Sequence, residues 1–406
     1  MRILITGQTY YYKNNGQAVF TINLAQGLAE AGHSVRLLLP ARGGFPYQRR
    51  QGRLHLQAVP TLTLPFNLNI SLTGDEPVAR SLAQFQPDLV HLQDHYFLSR
   101  RVLRAARQQG RPVIGTNHFL PDNLTYNLPM PGPVRKRANA WLWQTMLAVF
   151  NTLDAVTTPT ETAAGILRQQ GLRRPIQAIS CGVEQTRFYP RPELDRAALR
   201  RRYGLDPAKT LLLYVGRVDR EKELHILIQA LDRLKRDDLQ LAIVGKGSHR
   251  APLKALCRTL ALGQTVVFPG YVRADSLPLL FNSADIFAMP SRAELQSIAT
   301  LEAMASGLPV LAAQARALPE LVAHGQNGYL FEVGNVADAA RGISILAKQR
   351  GRWPAMGRVS RTKATEHSLP NTIKHYLDLY QQVCAPPRRA KQPVSPALEA
   401  YTVFDK

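Results

Sequence analysis

Apolar positions fall along the chain in two kinds of run. Short continuous runs bounded by turn formers occur at MRILITG, HSVRLLLPA, PDLVHLQ, PVIGTNH, DAVTTPT and PIQAISCG. They recur at TLLLYVG, LQLAIVG, TVVFPGYV, ADIFAMPS, LPVLAA and GYLFEVG. Such runs predict strands buried on both faces. Between them lie stretches with helical spacing. In AVFTINLAQGLAEAG, Val19, Ile22, Leu24 and Leu28 recur at that spacing and Gly32 stops the helix. SRRVLRAARQQG, ELHILIQALDRLKR and APLKALCRTLAL read the same way. Strands alternating with helices predict α/β architecture with doubly wound parallel sheets.

The alternation breaks once, at RFYPRPELDRAALRRRYGLDP, and then restarts. This stretch is rich in Pro and charge and reads as a linker with a short helix. The expected organisation is a first α/β domain at 1–189, a linker at 190–207 and a second α/β domain at 208–367. A terminal amphipathic helix at 368–385 and a mobile tail at 386–406 follow. Ligands of doubly wound sheets sit at the carboxyl ends of the strands. Two such halves facing each other would form a cleft between those ends.

Composition narrows the class. The chain has 406 residues, 45% hydrophobic and 20% charged, which excludes a largely disordered chain. No apolar run approaches the roughly 18 residues of a membrane span. The apolar run at the N-terminus is too short for a signal-peptide core. Cys181, Cys257 and Cys384 are odd in number and far apart, which fits a reducing cytoplasm and a structural role. Fifty-one Lys plus Arg against 29 Asp plus Glu give a net charge of +22, so anionic partners are favoured. No nucleic-acid recognition module is recognisable, so no nucleic-acid partner is expected.

Three segments carry chemistry. In PSRAELQSIATLEAMASGLPV, Glu294 lies in a loop after a strand and Glu302 about two turns inside the following helix, which Ser297 or a neighbour can cap. A helix start binds an anion, and two carboxylates spaced this way can bind hydroxyls on either side of it. Two solvated glutamates would give the same pattern. In YVGRVDREKELHILIQAL, Gly216 ends a strand, and Arg217 and Lys222 follow before a helix. Two cations there suit a diphosphate. Asp219, Glu221 and Glu223 interleave, so a solvated charge cluster is the alternative. In AIVGKGSHR, Gly245 and Gly247 follow a strand without the third glycine of a dinucleotide fingerprint. That argues against an NAD enzyme and leaves an ordinary tight turn as the alternative.

Together these segments resemble glycosyltransferase family 4. GRxxxEK, VGKG, FPGYV, the two glutamates with seven residues between them, EAMASGLPV and LPELVAHGQNGYLF occur in that family's order over about residues 1–385. The resemblance implies a GT-B fold of two Rossmann-like domains facing across a cleft, with the terminal helix crossing back. It implies a retaining transfer from a nucleotide-sugar, which is a substrate, with no metal or other cofactor. Glu302 would bind ribose hydroxyls and Glu294 hydroxyls of the donor sugar. Arg217 and Lys222 would neutralise the departing diphosphate, and His118 in GTNHF would face the donor sugar. Backbone at Leu295, Gln296 and Ser297, with Gly16 opposite, would cradle phosphate or sugar oxygens, and Gly216, Gly245, Lys246 and Val272 would complete the donor site. The chain departs from the family at Asn15–Gly16, at Arg316–Ala317 and at Cys181.

The acceptor is less legible. His91 and His95 in HLQDHYFLSRRVL have no further ligands in sight for a metal, so either lines a cleft or is a satisfied polar residue. In residues 128–154, Arg135, Lys136 and Arg137 precede Trp141, Trp143, Met146 and Phe150. Cations beside Trp on a helix suit a membrane interface, and a core helix with its Trp inward is the alternative. Residues 1–189 hold 20 Lys plus Arg and 9 Asp plus Glu, so the excess charge is not confined to one half. TNHFLPDNL and AELQSIATLEAMASG are similar to the branch of the family that glycosylates membrane lipids. The expected partners are a UDP-sugar or GDP-mannose donor, a lipid acceptor and an anionic membrane surface. The expected place is peripheral, on the inner face of the cell membrane. The same chemistry on a soluble saccharide or small metabolite is the alternative.

Overall fold

The structure is a computed structural model. It describes all residues except 9–15, 42–43, 65–67, 129 and 386–406, so the expected tail lies outside the described residues. By contacts the chain divides into two units. Unit 1 holds Met1–Pro121, Met130–Ser180 and the chain from Thr372, and unit 2 holds Asp122–Pro129 and Cys181–Asn371.

Unit 1 contains strands β1 (Arg2–Thr6), β2 (Ser34–Pro40), β3 (Tyr47–Gln51), β4 (Leu54–Val59), β5 (Thr61–Leu64), β6 (Leu68–Ser71), β7 (Leu89–Leu92), β8 (Val113–Thr116), β9 (Ala155–Thr158) and β10 (Ile176–Ala178). Eight form one sheet in the order β10-β9-β8-β7-β1-β2-β4-β3, parallel except for the antiparallel edge strand β3. Strands β5 and β6 form a separate hairpin. Every residue of β7, β8 and β9 is buried, which is why these strands read as continuous apolar runs. The edge strand YQRRQ is exposed at every position, and its arginines discourage pairing with another sheet.

Unit 2 contains β11 (Thr210–Val215), β12 (Leu239–Val244), β13 (Val266–Gly270), β14 (Ile286–Met289), β15 (Val310–Ala313) and β16 (Gly328–Phe331). They form one parallel sheet in the order β13-β12-β11-β14-β15-β16. Both sheets therefore start at a central strand, build outward to one side and then switch to the other. The switch lies between β1 and β7 in unit 1 and between β11 and β14 in unit 2. Ligand loops belong at those points.

Two features tie the flanking chain down. In the charge-rich stretch after residue 187, Asp195 caps the helix Arg196–Arg202 by accepting from Ala198 N at 2.9 Å. Arg200, only 5% exposed, donates to Asp285 Oδ2 at 2.7 Å, and Arg196 donates to Asp285 Oδ1 at 2.6 Å. In unit 1, the terminal helix Leu369–Cys384 inserts Tyr376 and Tyr380. The Tyr380 hydroxyl lies 2.8 Å from His91 Nδ1, and His91 Nε2 lies 2.6 Å from Thr116 Oγ1. Burial, reinforced by His118, pushes the His91 imidazole down to about 3, so it stays neutral. His91 is thus a satisfied core histidine.

Candidate active site

The unit 2 site is built on the loops that follow β11 and β14, at the switch point. The chain after β11 and the chain after β12 lie against each other. Val218 N donates to Lys246 O at 2.9 Å, and Gly216 N donates to Val244 O at 3.0 Å. A Cβ on Gly245, whose φ is +139°, would lie 1.8 Å from Gly216 O, and one on Gly247 would lie 2.2 Å from Val218 O. The two glycines are therefore required by loop-to-loop packing.

Lys222 ends a single 3₁₀ turn, Arg220–Lys222. Its Nζ donates to Glu294 Oε1 at 2.6 Å, and both side chains are 11% exposed. Charges this far from water persist only when paired. Arg217 is held by Asp219 and by Glu221, the latter at 2.5 Å, and its carbonyl accepts from the Tyr214 hydroxyl at 2.6 Å. Burial opposes the Arg217 charge, but the Glu221 and Asp219 carboxylates hold its basicity above the ordinary value. Arg217 and Lys222 are therefore not a solvated cluster but two ordered cations with carboxylate partners.

Glu302 lies on the helix Ile298–Ala305. Ser297 caps it, accepting from Thr300 N at 3.2 Å. The helix begins at Ile298, so Glu302 sits just over one turn inside it and not two. Burial pushes its carboxyl up to about 8, with Arg187 drawing it down and Glu184 adding to the rise. Leu295, Gln296 and Ser297 are all buried, and Gln296 Oε1 accepts from Cys181 N at 2.7 Å. Val272 is buried just after β13, while Lys246 is exposed with Nζ 5.7 Å from the Tyr271 ring centre.

The same unit holds polar groups that the sequence reading missed. Arg292 pairs with Glu223 at 2.6 Å and stacks 4.8 Å from the Tyr126 ring centre. Asn127 Nδ2 donates to Glu221 Oε2 at 2.9 Å, and Asn127 Oδ1 accepts from Arg220 N at 3.1 Å. Asn127 and Glu221 are 94 positions apart, and no local pattern links them.

In unit 1, His118 follows β8. Its Nε2 lies 3.1 Å from Gln93 Oε1, and its ring sits 4.8 Å from Phe20. Burial pushes the imidazole down to about 3, so it is neutral at physiological pH. After β7, the buried Asp94 accepts from Gln8 N at 2.5 Å and from Ser99 Oγ at 2.7 Å. His95 is buried against Tyr96 and Phe119 at 4.4 and 5.4 Å. Gly16 is the first residue of the helix Gly16–Glu30, and Asn15 lies outside the described residues. Among the described residues, no three His, Cys, Asp and Glu side chains gather as a metal ion would need.

The basic stretch before Trp141 lies on the helix Gly132–Phe150. Met146, Leu147, Val149 and Phe150 are buried and Trp143 packs against the same core, but Trp141 is 60% exposed. The inward-facing reading holds for one Trp and not for the other. No described helix is long and apolar enough to cross a membrane.

Comparison with known proteins decides the family. Residues 195–362 match the family described as Glycosyl transferases group 1, and residues 14–187 match Glycosyltransferase Family 4. The chain is 30% identical to the D-inositol 3-phosphate glycosyltransferase of Rhodococcus jostii, over 78% of this chain and 71% of that protein. It belongs to the group 1 glycosyltransferases. Other relatives of this glycosyltransferase differ in what they act on. The GDP-mannose-dependent alpha-mannosyltransferase of Mycolicibacterium smegmatis is 29% identical over 94% of this chain and 98% of that one. The alpha-monoglucosyldiacylglycerol synthase of Streptococcus pneumoniae is 25% identical over 82% and 75%. The chain also matches a sulfoquinovosyl transferase of Arabidopsis thaliana, of which it spans 65%. Among solved structures, sucrose-phosphate synthase from Thermosynechococcus elongatus superposes with a TM-score of 0.80 at 21% identity, covering 95% of this chain and 99% of that one. HepE of Anabaena, solved with UDP-glucose, gives 0.74 at 21% identity, covering 94% and 100%. The glycosyltransferase thus has the GT-B fold of two Rossmann-like domains.

Proposed function

We propose that this glycosyltransferase moves a hexose from a nucleotide-sugar to a membrane lipid acceptor with retention of anomeric configuration and without a metal. The Lys222–Glu294 pair at the unit 2 switch point carries the reading. Glu294 accepts hydroxyls of the donor sugar, which fixes the anomeric carbon, while Lys222 turns toward the diphosphate. As the sugar–phosphate bond breaks, charge grows on the diphosphate, and a cation already in place stabilises it at little reorganisation cost. Arg217, oriented by Asp219 and Glu221, adds a second positive field. Glu302 holds the ribose, and Leu295, Gln296 and Ser297 line the phosphates. Neutral His118, its Nε2–H directed at Gln93 Oε1, faces the sugar with an uncharged Nδ1 that can accept from a hydroxyl. In this reading residues 1–189 serve the acceptor and residues 208–367 the nucleotide-sugar.

The lipid acceptor is supported by exposed Trp141 beside exposed Lys136 and Arg137 on one helix, by the net charge of +22 and by the diacylglycerol-acting relative. A peripheral position on an anionic membrane face follows from it. A soluble acceptor is the second reading, favoured by the D-inositol 3-phosphate glycosyltransferase relative. UDP-hexose is the first choice of donor, on the likeness to HepE solved with UDP-glucose, and GDP-mannose the second.

The test is a transfer assay with radiolabelled UDP-glucose, UDP-galactose and GDP-mannose in turn, over vesicles of diacylglycerol and anionic phospholipid. Label extracted into organic solvent is the expected result and names the donor. Nucleotide diphosphate released with no label in the organic phase would move the acceptor to the soluble class. No turnover of any donor would remove the proposal.

A further inference from the structure

Unit 2 contains a cavity of about 520 Å³ lined by Asn127, Arg220, His225, Ser248 and His249. It shares no lining residue with the Lys222–Glu294 site. It forms where the chain after β11 and the chain after β12 run together, with His249 N donating to Val218 O at 2.9 Å.

The polar groups of the lining divide sharply. Asn127 is committed to Glu221 and to Arg220 N, as described above. The Ser248 hydroxyl donates to Asp219 Oδ1 at 2.9 Å. The two nearby carboxylates, Asp219 and Glu221, are in turn held by Arg217. What remains is the exposed guanidinium of Arg220 and the imidazoles of His225 and His249. Among the described residues, none of these three side chains makes a hydrogen bond or an ion pair, and Arg220 has only the Tyr126 ring 5.9 Å away. Burial lowers the basicity of both histidines. His249, Arg292 and Arg220 depress His225 further, and Arg220 depresses His249 against the pull of Asp219 and Glu221. The cavity therefore offers one guanidinium and two imidazoles as donors, while the nearby carboxylates are already paired with Arg217.

We propose that this cavity binds a phosphate monoester, with the dianion on Arg220 and the two imidazoles, as a second anion site beside the nucleotide-sugar site. A guanidinium fork and two ring N–H groups match a compact group with several acceptor oxygens. A water molecule takes about 30 Å³, so the cavity has room for the phosphate and the group that carries it. The carrier is a small soluble molecule or a lipid headgroup, which share this chemistry.

The proposal does not rest on the transfer reaction. The full-length protein is held in excess UDP or GDP to occupy the donor site, and its ¹⁵N-labelled imidazoles are followed by NMR during titration with glycerol 3-phosphate. His225→Asn and His249→Asn assign the two resonances. Both are expected to shift saturably, and Arg220→Ala is expected to weaken binding about tenfold or more with an unchanged melting curve. A second arm measures sedimentation with phosphatidylcholine vesicles that contain or lack phosphatidic acid. Arg220-dependent binding of glycerol 3-phosphate supports the site with a soluble ligand. Arg220-dependent binding of phosphatidic acid vesicles alone supports it with a lipid headgroup. Absence of both, or binding that Arg220→Ala leaves intact, overturns it. Turnover in the transfer assay with no phosphate binding would remove this proposal and leave the transferase reading standing.

Discussion

Lys222 and Glu294 stand 72 positions apart in the chain and meet at 2.6 Å, each about nine-tenths out of solvent. Removing one partner strands the other charge. Lys222→Ala or Glu294→Ala should each lower stability by about 3–5 kcal/mol, whereas the double substitution recovers part of that loss. Transfer should fall by roughly 100-fold or more in all three variants. Denaturant melts and initial rates on the same preparations check this. A double variant no more stable than either single one would break the pairing argument, and near-normal turnover in a single variant would remove the assigned roles.

The nested loops after β11 and β12 give a steric prediction. Gly245→Ala places a methyl 1.8 Å from Gly216 O, so backbone must move. It should cost about 3 kcal/mol or more and reduce soluble yield. Gly263→Ala, with nothing within 4 Å of the new Cβ, is the control and should stay within about 0.5 kcal/mol of the parent. Equal melting midpoints for the two variants would contradict the packing reading.

Glu302 gives a pH prediction. Its carboxyl lies at about 8 in the folded chain against an ordinary 4.5, so the fold favours the protonated form. The stability this confers is full below the unfolded value and is lost as pH rises from about 4.5 to about 8. Glu302→Gln keeps the neutral form at every pH. It should match the parent in acid and exceed it in mild alkali, on the order of 2 kcal/mol after allowance for the solvent contact Glu302 keeps. Parallel stability curves for the two proteins would contradict the shift.

Trp141 and the cations before it give a prediction about membranes. Trp141→Ala should weaken binding to anionic vesicles several-fold at any salt concentration. Lys136→Glu with Arg137→Glu should weaken it mainly at low salt, because the electrostatic part is screened over about 8–10 Å. Sedimentation with vesicles at low and high salt separates the two. Binding unaffected by either change would place any membrane contact elsewhere.

Much of this was legible in the sequence where burial was complete. Strands β7, β8, β11, β12 and β14 are apolar runs because both faces are covered, and each was readable as a strand. The strands from Tyr47 to Ser71 were not. YQRRQ is exposed throughout, and LHLQAV is only half-buried along most of its length, so neither period nor composition marks them. Glu294, Lys222, Glu302 and His118 could be picked out because each follows a strand end in a familiar order. The Glu223–Arg292–Tyr126 and Asn127–Glu221 contacts could not, because their partners are brought together only by tertiary packing.

The placement of Tyr376 and Tyr380 has a consequence for how the protein is made. Both are core residues of a unit whose first strand is Arg2–Thr6, and His91 Nδ1 meets its partner only when Tyr380 arrives, 289 positions later. During synthesis from the N-terminus, unit 1 must wait without Tyr376 and Tyr380 while Cys181–Asn371 of unit 2 is translated. At about 5–20 residues per second that is an interval of roughly ten seconds or more. The last residue of unit 2, Asn371, precedes the helix residues that finish unit 1, so the two units are completed in the reverse of the order in which they begin.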